Sequence, residues 1–107
     1  MKKQEQLSIN NKIEVDMEKC KDEFCATPDN KMPPKIRLNH CHAWTQDFEG
    51  FTVLWSYNTA VAVYDKSTDT LYDVLRGVYG YTATSAKHIA KFQRLCNPAR
   101  VLTYREV

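Results

Sequence analysis

The pattern of apolar and polar positions predicts a sheet in the middle of the chain. Apolar and polar residues alternate over 36–40, and the segment 51–64 is rich in the β-branched and aromatic residues that pack well on a pleated surface. Residues 66–69 have the composition of a turn, and residues 71–75 then resume as the next strand of an antiparallel hairpin. After an Asn-Pro pair, we predict a last strand over residues 100–107.

A helix over about residues 84–96 is the second feature of the pattern. With successive residues placed roughly 100° apart, one face collects Ser85, Ile89, Phe92, Gln93 and Cys96. Hydroxyl side chains at the start of this helix would cap its free backbone N–H groups. The predicted fold class is therefore α+β, a curled antiparallel sheet of four to five strands with one main helix packed on it.

The first 35 residues have a less regular pattern. Apolar residues alternate with acidic ones, as in a half-buried strand, at Ile13, Val15 and Met17. The same stretch also fits a short helix, whose apolar face would hold Met17, Cys20 and Phe24. We favour a strand followed by a possible short helix, both ended by the proline-rich segment 28–34. Residues 1–35 are thus interpreted as a weakly structured, partly flexible arm or lid, and residues 36–107 as the compact domain.

Composition is that of an ordinary small domain. The 107 residues are 43% apolar and 26% charged, which argues against wholesale disorder and a fibrous fold. The longest apolar run is far shorter than the about 18 residues that a membrane span needs. Because the N-terminus also lacks the apolar stretch of a signal peptide, we expect a cytoplasmic protein with no membrane association.

The net charge of +2 conceals a gradient along the chain. Residues 1–35 hold seven basic and seven acidic side chains, residues 36–75 hold two and five, and residues 76–107 hold six and one. The last third therefore carries a charge of +5, from six basic minus one acidic side chain. Basic surfaces attract phosphates and acidic proteins at long range, so this third is where we expect a partner to bind.

The helix over 84–96 places its basic residues opposite its apolar face, where they would meet solvent or a partner. The predicted partner-binding residues are Lys87, Lys91, Arg94, Tyr79, Tyr81 and Arg100. Hydroxyls beside a basic residue at a helix N-terminus also suit an anion, which predicts an anion-binding role for Thr84, Ser85 and Lys87. An ordinary capped amphipathic helix would need the same residues, and that alternative stays open.

His88 lies three residues after Ser85 on the same predicted helix, so the two side chains are candidates for a base and a nucleophile. The chain has no Gly-x-Ser-x-Gly elbow and no recognisable third member of a catalytic set. We therefore predict a protein that is not an enzyme, with His88 as a packing or capping residue. A small hydrolase or nuclease using Ser85 and His88 is the less favoured alternative.

Four cysteines are expected to be thiols in a reducing cytoplasm. Cys20 and Cys25 are separated by four residues, and His40 and His42 alternate along the strand predicted there, which raises the question of a zinc site. A second Cys-x2-Cys pair is lacking, and small buried thiols are the simpler interpretation. We assign no metal and no cofactor.

Two stretches carry a resemblance to a known family. They are Leu54-Trp55-Ser56-Tyr57-Asn58-Thr59-Ala60-Val61-Ala62 and Tyr81-Thr82-Ala83-Thr84-Ser85-Ala86-Lys87-His88-Ile89. Together they resemble a family of small proteins encoded by bacteriophages and mobile elements, which pair a Ser-Tyr-x-Thr-x-Val-Ala strand with a Tyr–Thr-Thr-x-Lys-His helix start. Ser85 stands where the second threonine is usual, which keeps the hydroxyl. The resemblance spans about residues 48–93 and carries over no catalytic residue.

The resemblance implies a small accessory protein that acts on something of the host's. Its most specific implication is an inhibitor of a host defence nuclease complex, similar in role to anti-CRISPR proteins, that binds a host protein or ribonucleoprotein. A nucleic-acid-binding accessory protein that uses the basic face of the 84–96 helix is the alternative. The matched polar positions have two open interpretations, as functional residues or as a signature that holds helix to sheet: Tyr57, Thr59, Thr84, Lys87 and His88.

Overall fold

A computed structural model describes residues 3–38, 40–75 and 83–105 of the chain. Within these ranges, two helices and six strands follow one another in the order α1 (Lys3–Ala26), β1 (Lys35–Arg37), β2 (Ala43–Asp47), β3 (Phe51–Ser56), β4 (Thr59–Asp65), β5 (Thr70–Asp73), α2 (Ala83–Cys96) and β6 (Arg100–Thr103). A single 3-10 turn over Asp29–Lys31 links α1 to the sheet. The protein is therefore α+β, as the pattern predicted.

The six strands lie side by side in chain order, with β1 and β6 at the two open edges. Strands β1 to β5 form an antiparallel meander, whereas β6 runs parallel to β5. The prediction of a purely antiparallel sheet of four to five strands is wrong in both respects. It omitted β2, and it did not anticipate that α2 acts as the crossover that a parallel pair of strands requires.

Local sequence explains the two central hairpins. Ser56 pairs with Thr59, so Tyr57 and Asn58 form a two-residue turn between β3 and β4. In the next turn the Asp65 carboxylate accepts hydrogen bonds from the backbone N–H and the hydroxyl of Ser67, which is the local bonding that favours Asp in turns. The hairpin predicted over 66–75 is thus confirmed.

The two helices pack on opposite faces of the sheet because neighbouring strand residues point to opposite sides. Leu71 of β5 belongs to the apolar cluster that contains Ile89 and Phe92 of α2. The next residue, Tyr72, packs instead with Ile13 of α1. The sheet is therefore a middle layer with one helix on each side, and α2 begins one residue before the predicted limits of 84–96 and ends at their limit.

α1 corrects the expectation of a strand and a possible short helix near the N-terminus. It is one continuous helix of 24 residues, and its buried positions are Gln6, Asn10, Ile13 and Cys20. Met17 and Phe24 pack beside them, as the helical alternative required. The strand interpretation is wrong because the alternation of Ile13, Val15 and Met17 is local, whereas the buried stripe repeats every three to four residues over 18 positions.

Polar side chains dock α1 on the far edge of the sheet. The Asn10 amide donates to the Arg105 carbonyl at 2.6 Å and accepts from the Arg105 N–H at 3.2 Å, and the Gln6 amide donates to the Thr103 carbonyl at 3.0 Å. The division into an arm over 1–35 and a domain over 36–107 stays a prediction. Within the described ranges, neither helix combines the length and apolarity that crossing a membrane would require.

Candidate functional site

The basic face of α2, made of Lys87, Lys91 and Arg94, lies on the side of the helix that faces away from the sheet. Lys87 and Arg94 are exposed and Lys91 is half-buried, while His88, Ile89 and Phe92 are buried. None of the three basic side chains forms an ion pair with another residue in the described parts of the chain. Their cations are therefore accessible to an acidic partner.

Of the other predicted partner residues, the structure describes only Arg100. Arg100 is exposed at the start of β6, and its guanidinium donates to the Thr70 hydroxyl at 3.4 Å. Tyr79 and Tyr81 lie outside the described residues. At the predicted anion site Thr84 is exposed, but the Ser85 hydroxyl points at β3. The anion-binding role of Thr84, Ser85 and Lys87 stays a prediction.

Ser56, Ser85 and His88 form a polar clamp between the end of β3 and the first turns of α2. The Ser56 Oγ lies 2.8 Å from the Ser85 Oγ and 2.8 Å from the His88 Nδ1. The less favoured enzyme alternative required Ser85 and His88 to pair directly, whereas the hydroxyl that contacts both of them is that of Ser56, which lies 29 and 32 residues away in the chain. Sequence reasoning missed Ser56 because no local spacing connects it to the helix.

Two members of the polar clamp, Ser56 and His88, are closed to solvent, and Ser85 is half-buried. Ser56 is 2% exposed and His88 is 4% exposed. Burial, with smaller contributions from Lys91 and His42, lowers the pKa of the His88 imidazole below its usual value of 6.5. The contact of 2.8 Å between Ser56 and His88 is that of a nucleophile and its base. A substrate carbonyl or phosphate cannot reach the Ser56 oxygen, however, because Ser56 is buried. The contact is suited to holding α2 on the sheet.

A cleft lies at the opposite end of the sheet from the polar clamp. It has a volume of about 480 Å³ and is lined by the C-terminal part of α1, the segment that follows it, and the β2–β3 turn, including Glu23, Lys31, Asp47 and Glu49. Neither Ser56 nor His88 lines it. The cleft therefore supplies no substrate pocket for the Ser–His pair.

A cluster that the sequence did not predict lies on β1, β2 and β3 and the turns beside them, with its two tryptophans half-buried and its other members exposed. We call it the aromatic corner, and it consists of Lys35, Arg37, His42, Trp44, Trp55 and Tyr57. Trp44 and Trp55 are direct cross-strand partners. The Lys35 ammonium lies 4.0 Å from the centre of the Trp55 ring, and the Arg37 guanidinium carbon lies 5.9 Å from the centre of the Trp44 ring. These distances are those of cation–π contacts.

The aromatic corner continues past the strands to His42, which directly precedes β2, and Tyr57, which directly follows β3. Their rings stack at a centre-to-centre distance of 5.3 Å with 18° between their planes, and the Trp44 ring lies 6.5 Å from that of His42. Tyr57 is 52% exposed, and its ring centre lies 6.1 Å from that of His88. The strand register brings together three pairs of residues that are each two positions apart in the chain, Lys35 with Arg37, His42 with Trp44 and Trp55 with Tyr57, and no local pattern connects one pair to the next.

Tyr57 adopts a backbone conformation that is unfavourable for its side chain. Its φ is 55°, in the left-handed region that glycine and asparagine accept and bulky residues rarely enter. The turn therefore keeps an aromatic ring at a position where glycine or asparagine would adopt the same backbone conformation with less strain. Strain of this kind is typical of positions that are held for a function.

Metal ligation was raised for Cys20, Cys25, His40 and His42. Across residues 3–38, 40–75 and 83–105, no three side chains of His, Cys, Asp or Glu converge in a way that would hold a metal ion. The expected shared strand for the two histidines is also wrong, because β1 ends at Arg37 and β2 begins at Ala43. Cys20 is buried beside Phe51 and Val53, which fits the simpler interpretation of a small core residue.

The fold defines this chain as a small α+β protein with a mixed sheet between two helices. A family model matches residues 35–107, from the start of β1 onward, and the chain belongs to that family, DUF8033, a family of unknown function. No curated protein matches the chain, and no solved structure does.

Proposed function

We propose that this protein is not an enzyme and acts by binding a macromolecular partner through the basic face of α2. The observation that carries the proposal is the contrast between the two sides of this helix. His88 is buried against Ser56 of β3, whereas Lys87 and Arg94 are exposed and without an ion-pair partner in the described residues. Exposed, unpaired cations on one face attract acidic protein surfaces and phosphate backbones.

The most specific form of the proposal is an inhibitor of a host defence nuclease complex, in the manner of anti-CRISPR proteins. The resemblance to phage and mobile-element proteins suggests this role. The net charge of +2 excludes imitation of DNA by negative charge, so the inhibitor would act by occluding a protein or ribonucleoprotein surface. Direct binding of nucleic acid by the same basic face is the second candidate.

A charge-reversal experiment tests the use of α2. The tagged chain is used to capture partners from a host lysate, with and without nuclease treatment, and is compared with the double variant Lys87→Glu, Lys91→Glu. A matched control is Lys3→Glu, Lys21→Glu, which changes the net charge equally on exposed positions of α1, across the sheet from α2. We expect the α2 variant to lose the partner and the α1 variant to keep it.

Two outcomes decide the proposal. A partner that the α2 variant captures as well as the parent would show that the basic face is not the binding surface. A captured complex that survives nuclease treatment is then assayed for target cleavage with increasing amounts of the purified chain. Cleavage that falls with added chain supports the inhibitor role, and unchanged cleavage would contradict it. A partner that disappears on nuclease treatment supports the second candidate instead.

A further inference from the structure

The aromatic corner is one connected surface rather than a set of separate contacts. Trp44 and Trp55 lie opposite each other on β2 and β3, and His42 follows at 6.5 Å from Trp44. Tyr57 then stacks on His42 at 5.3 Å. These four rings lie on neighbouring strands and turns of the sheet, which fixes their relative positions better than a mobile loop would.

The charge at the aromatic corner is positive. Its cations, Lys35 and Arg37, are exposed and pair with no carboxylate in the described parts of the chain. The sequence from Lys35 to Gln46 contains no Asp or Glu. Asp47 lies one residue beyond Gln46, the cross-strand partner of Lys35, but its carboxylate is bound by the Lys66 ammonium at 2.6 Å. Asp65 of the β4–β5 turn pairs with Phe51, at the end of β3 away from Tyr57. The surface is therefore complementary to a polyanion.

Rings together with cations favour one class of polyanion. Single-stranded nucleic acid exposes base faces that stack on aromatic side chains, and its phosphates pair with Lys and Arg. A duplex keeps its base faces inside the stack, so it offers the rings nothing to stack on. An acidic protein surface would satisfy the cations but would give the adjacent His42–Tyr57 stack no matching planar groups.

We propose that the aromatic corner binds single-stranded nucleic acid, with bases stacked on the exposed Tyr57 and its His42 neighbour and phosphates bound by Lys35 and Arg37. The site is separate from the basic face of α2, and the proposal does not depend on the function proposed above. The left-handed backbone of Tyr57 fits this role, because the turn holds a ring where asparagine would be less strained.

Two readouts measure the binding directly. Labelled single strands of twelve deoxythymidines and of twelve uridines, and a duplex of equal length, are titrated with the full chain at 50 mM salt while fluorescence anisotropy is recorded. The chain has two tryptophans, and both belong to the aromatic corner, so their intrinsic fluorescence reports on the same surface. We expect both single strands to bind, to change the tryptophan signal, and to bind more tightly than the duplex.

Substitutions at Tyr57 separate stacking from folding. Tyr57→Asn removes the ring but suits the left-handed backbone, so the variant should be at least as stable as the parent. Its affinity for the single strands should fall roughly five- to 150-fold, the range reported by alanine substitution for one stacked base. Tyr57→Phe keeps the ring and should bind like the parent.

Substitutions at the two cations test the phosphate contacts. For the double variant Lys35→Gln, Arg37→Gln, the slope of log affinity against log salt should decrease in magnitude by about 1.4, or about 0.7 for each lost contact with a single strand. The control Lys3→Gln, Lys21→Gln removes the same charge from α1 and should leave the slope unchanged.

Three results would overturn the proposal. The first is that neither single strand binds at 50 mM salt. The second is that Tyr57→Asn binds with the affinity of the parent, and the third is that only the α2 variant Lys87→Glu, Lys91→Glu loses binding.

Partner capture and oligonucleotide binding are scored on the same variants. An α2 variant that loses the partner but binds the oligonucleotide supports both proposals, and loss of oligonucleotide binding in Tyr57→Asn with partner capture intact supports the aromatic corner alone.

Discussion

Replacing Ser56 with alanine removes the hydroxyl that joins β3 to α2. The Ser56 Oγ is within 2.8 Å of both the Ser85 Oγ and the His88 Nδ1, and both Ser56 and His88 are buried. In the Ser56→Ala variant the His88 Nδ1 stays buried without this partner. A buried polar group that loses its hydrogen bond costs about 1–3 kcal/mol. We therefore expect the free energy of unfolding to fall by about 2 kcal/mol.

Urea unfolding followed by tryptophan fluorescence measures this loss. For a slope of about 1.5 kcal/mol/M, which is ordinary for a small protein, the unfolding midpoint should fall by about 1.3 M with the slope unchanged. Ser8→Ala is the control, because Ser8 is exposed on α1 and the same substitution there should change stability by less than about 0.5 kcal/mol.

A double-mutant cycle tests whether Ser56 and His88 act as a pair. Because Ser56→Ala and His88→Leu remove the same hydrogen bond, their effects should not add, and the interaction energy should be about 0.5–3 kcal/mol. Strictly additive effects, or a Ser56→Ala variant as stable as the Ser8→Ala control, would refute the polar clamp as the attachment of α2.

Three further predictions follow from burial. Phe92→Ala empties a side-chain site that is fully buried between α2 and the sheet, and should lower the free energy of unfolding by about 3–5 kcal/mol in the same assay. A loss below about 1 kcal/mol would contradict that packing. The pKa of His88 is lowered in the folded state, so the unfolded chain binds its proton more readily: the stability that neutral His88 provides is complete above pH 6.5 and is lost as the pH falls, by at most about 1.4 kcal/mol per pH unit. His88→Gln should flatten that dependence, and an unchanged slope would show that His88 does not cause it. Burial raises the pKa of the Cys20 thiol to about 11, whereas Cys25 is exposed, so a thiol reagent at pH 8 should modify Cys25 roughly 100-fold faster, and equal rates would contradict the burial of Cys20.

Local periodicity was sufficient for the elements whose partners are nearby in the chain. The apolar spacing of Ile89 and Phe92 located α2 to within one residue, and the residues of the β4–β5 turn located that hairpin. Helix faces and tight turns depend on interactions over a few residues, which a single sequence contains.

The same approach failed for α1 because two members of its buried stripe are not apolar. Gln6 and Asn10 are buried through hydrogen bonds to Thr103 and Arg105, so a search for apolar residues at helical spacing does not count them. Gln6 and Asn10 are buried because β6 and the residues after it lie beside α1. The pairing of β6 with β5 depends on contacts between distant parts of the chain, which a local pattern does not contain.

The candidate sites divide in the same way. Exposure of Lys87 and Arg94 was evident from the helical pattern, and the structure agrees with it. The aromatic corner was not evident from the sequence. The cross-strand pairing of Trp44 with Trp55 and the stacking of His42 on Tyr57 follow from strand register. Register is a property of the whole sheet and has no local signal in residues this far apart.

The docking of α1 on the end of β6 also determines when the fold is completed during synthesis. The hydrogen bonds from Gln6 and Asn10 to the last strand span 97 and 95 residues. At about 5–20 residues per second, a ribosome needs roughly 5–20 s to cover that distance. Throughout this interval the Gln6 and Asn10 amides lack the backbone partners that Thr103 and Arg105 supply. The N-terminal half of α1 therefore reaches its final hydrogen bonding only after the β3–β4 and β4–β5 hairpins, whose strands are adjacent in the chain, have been synthesised.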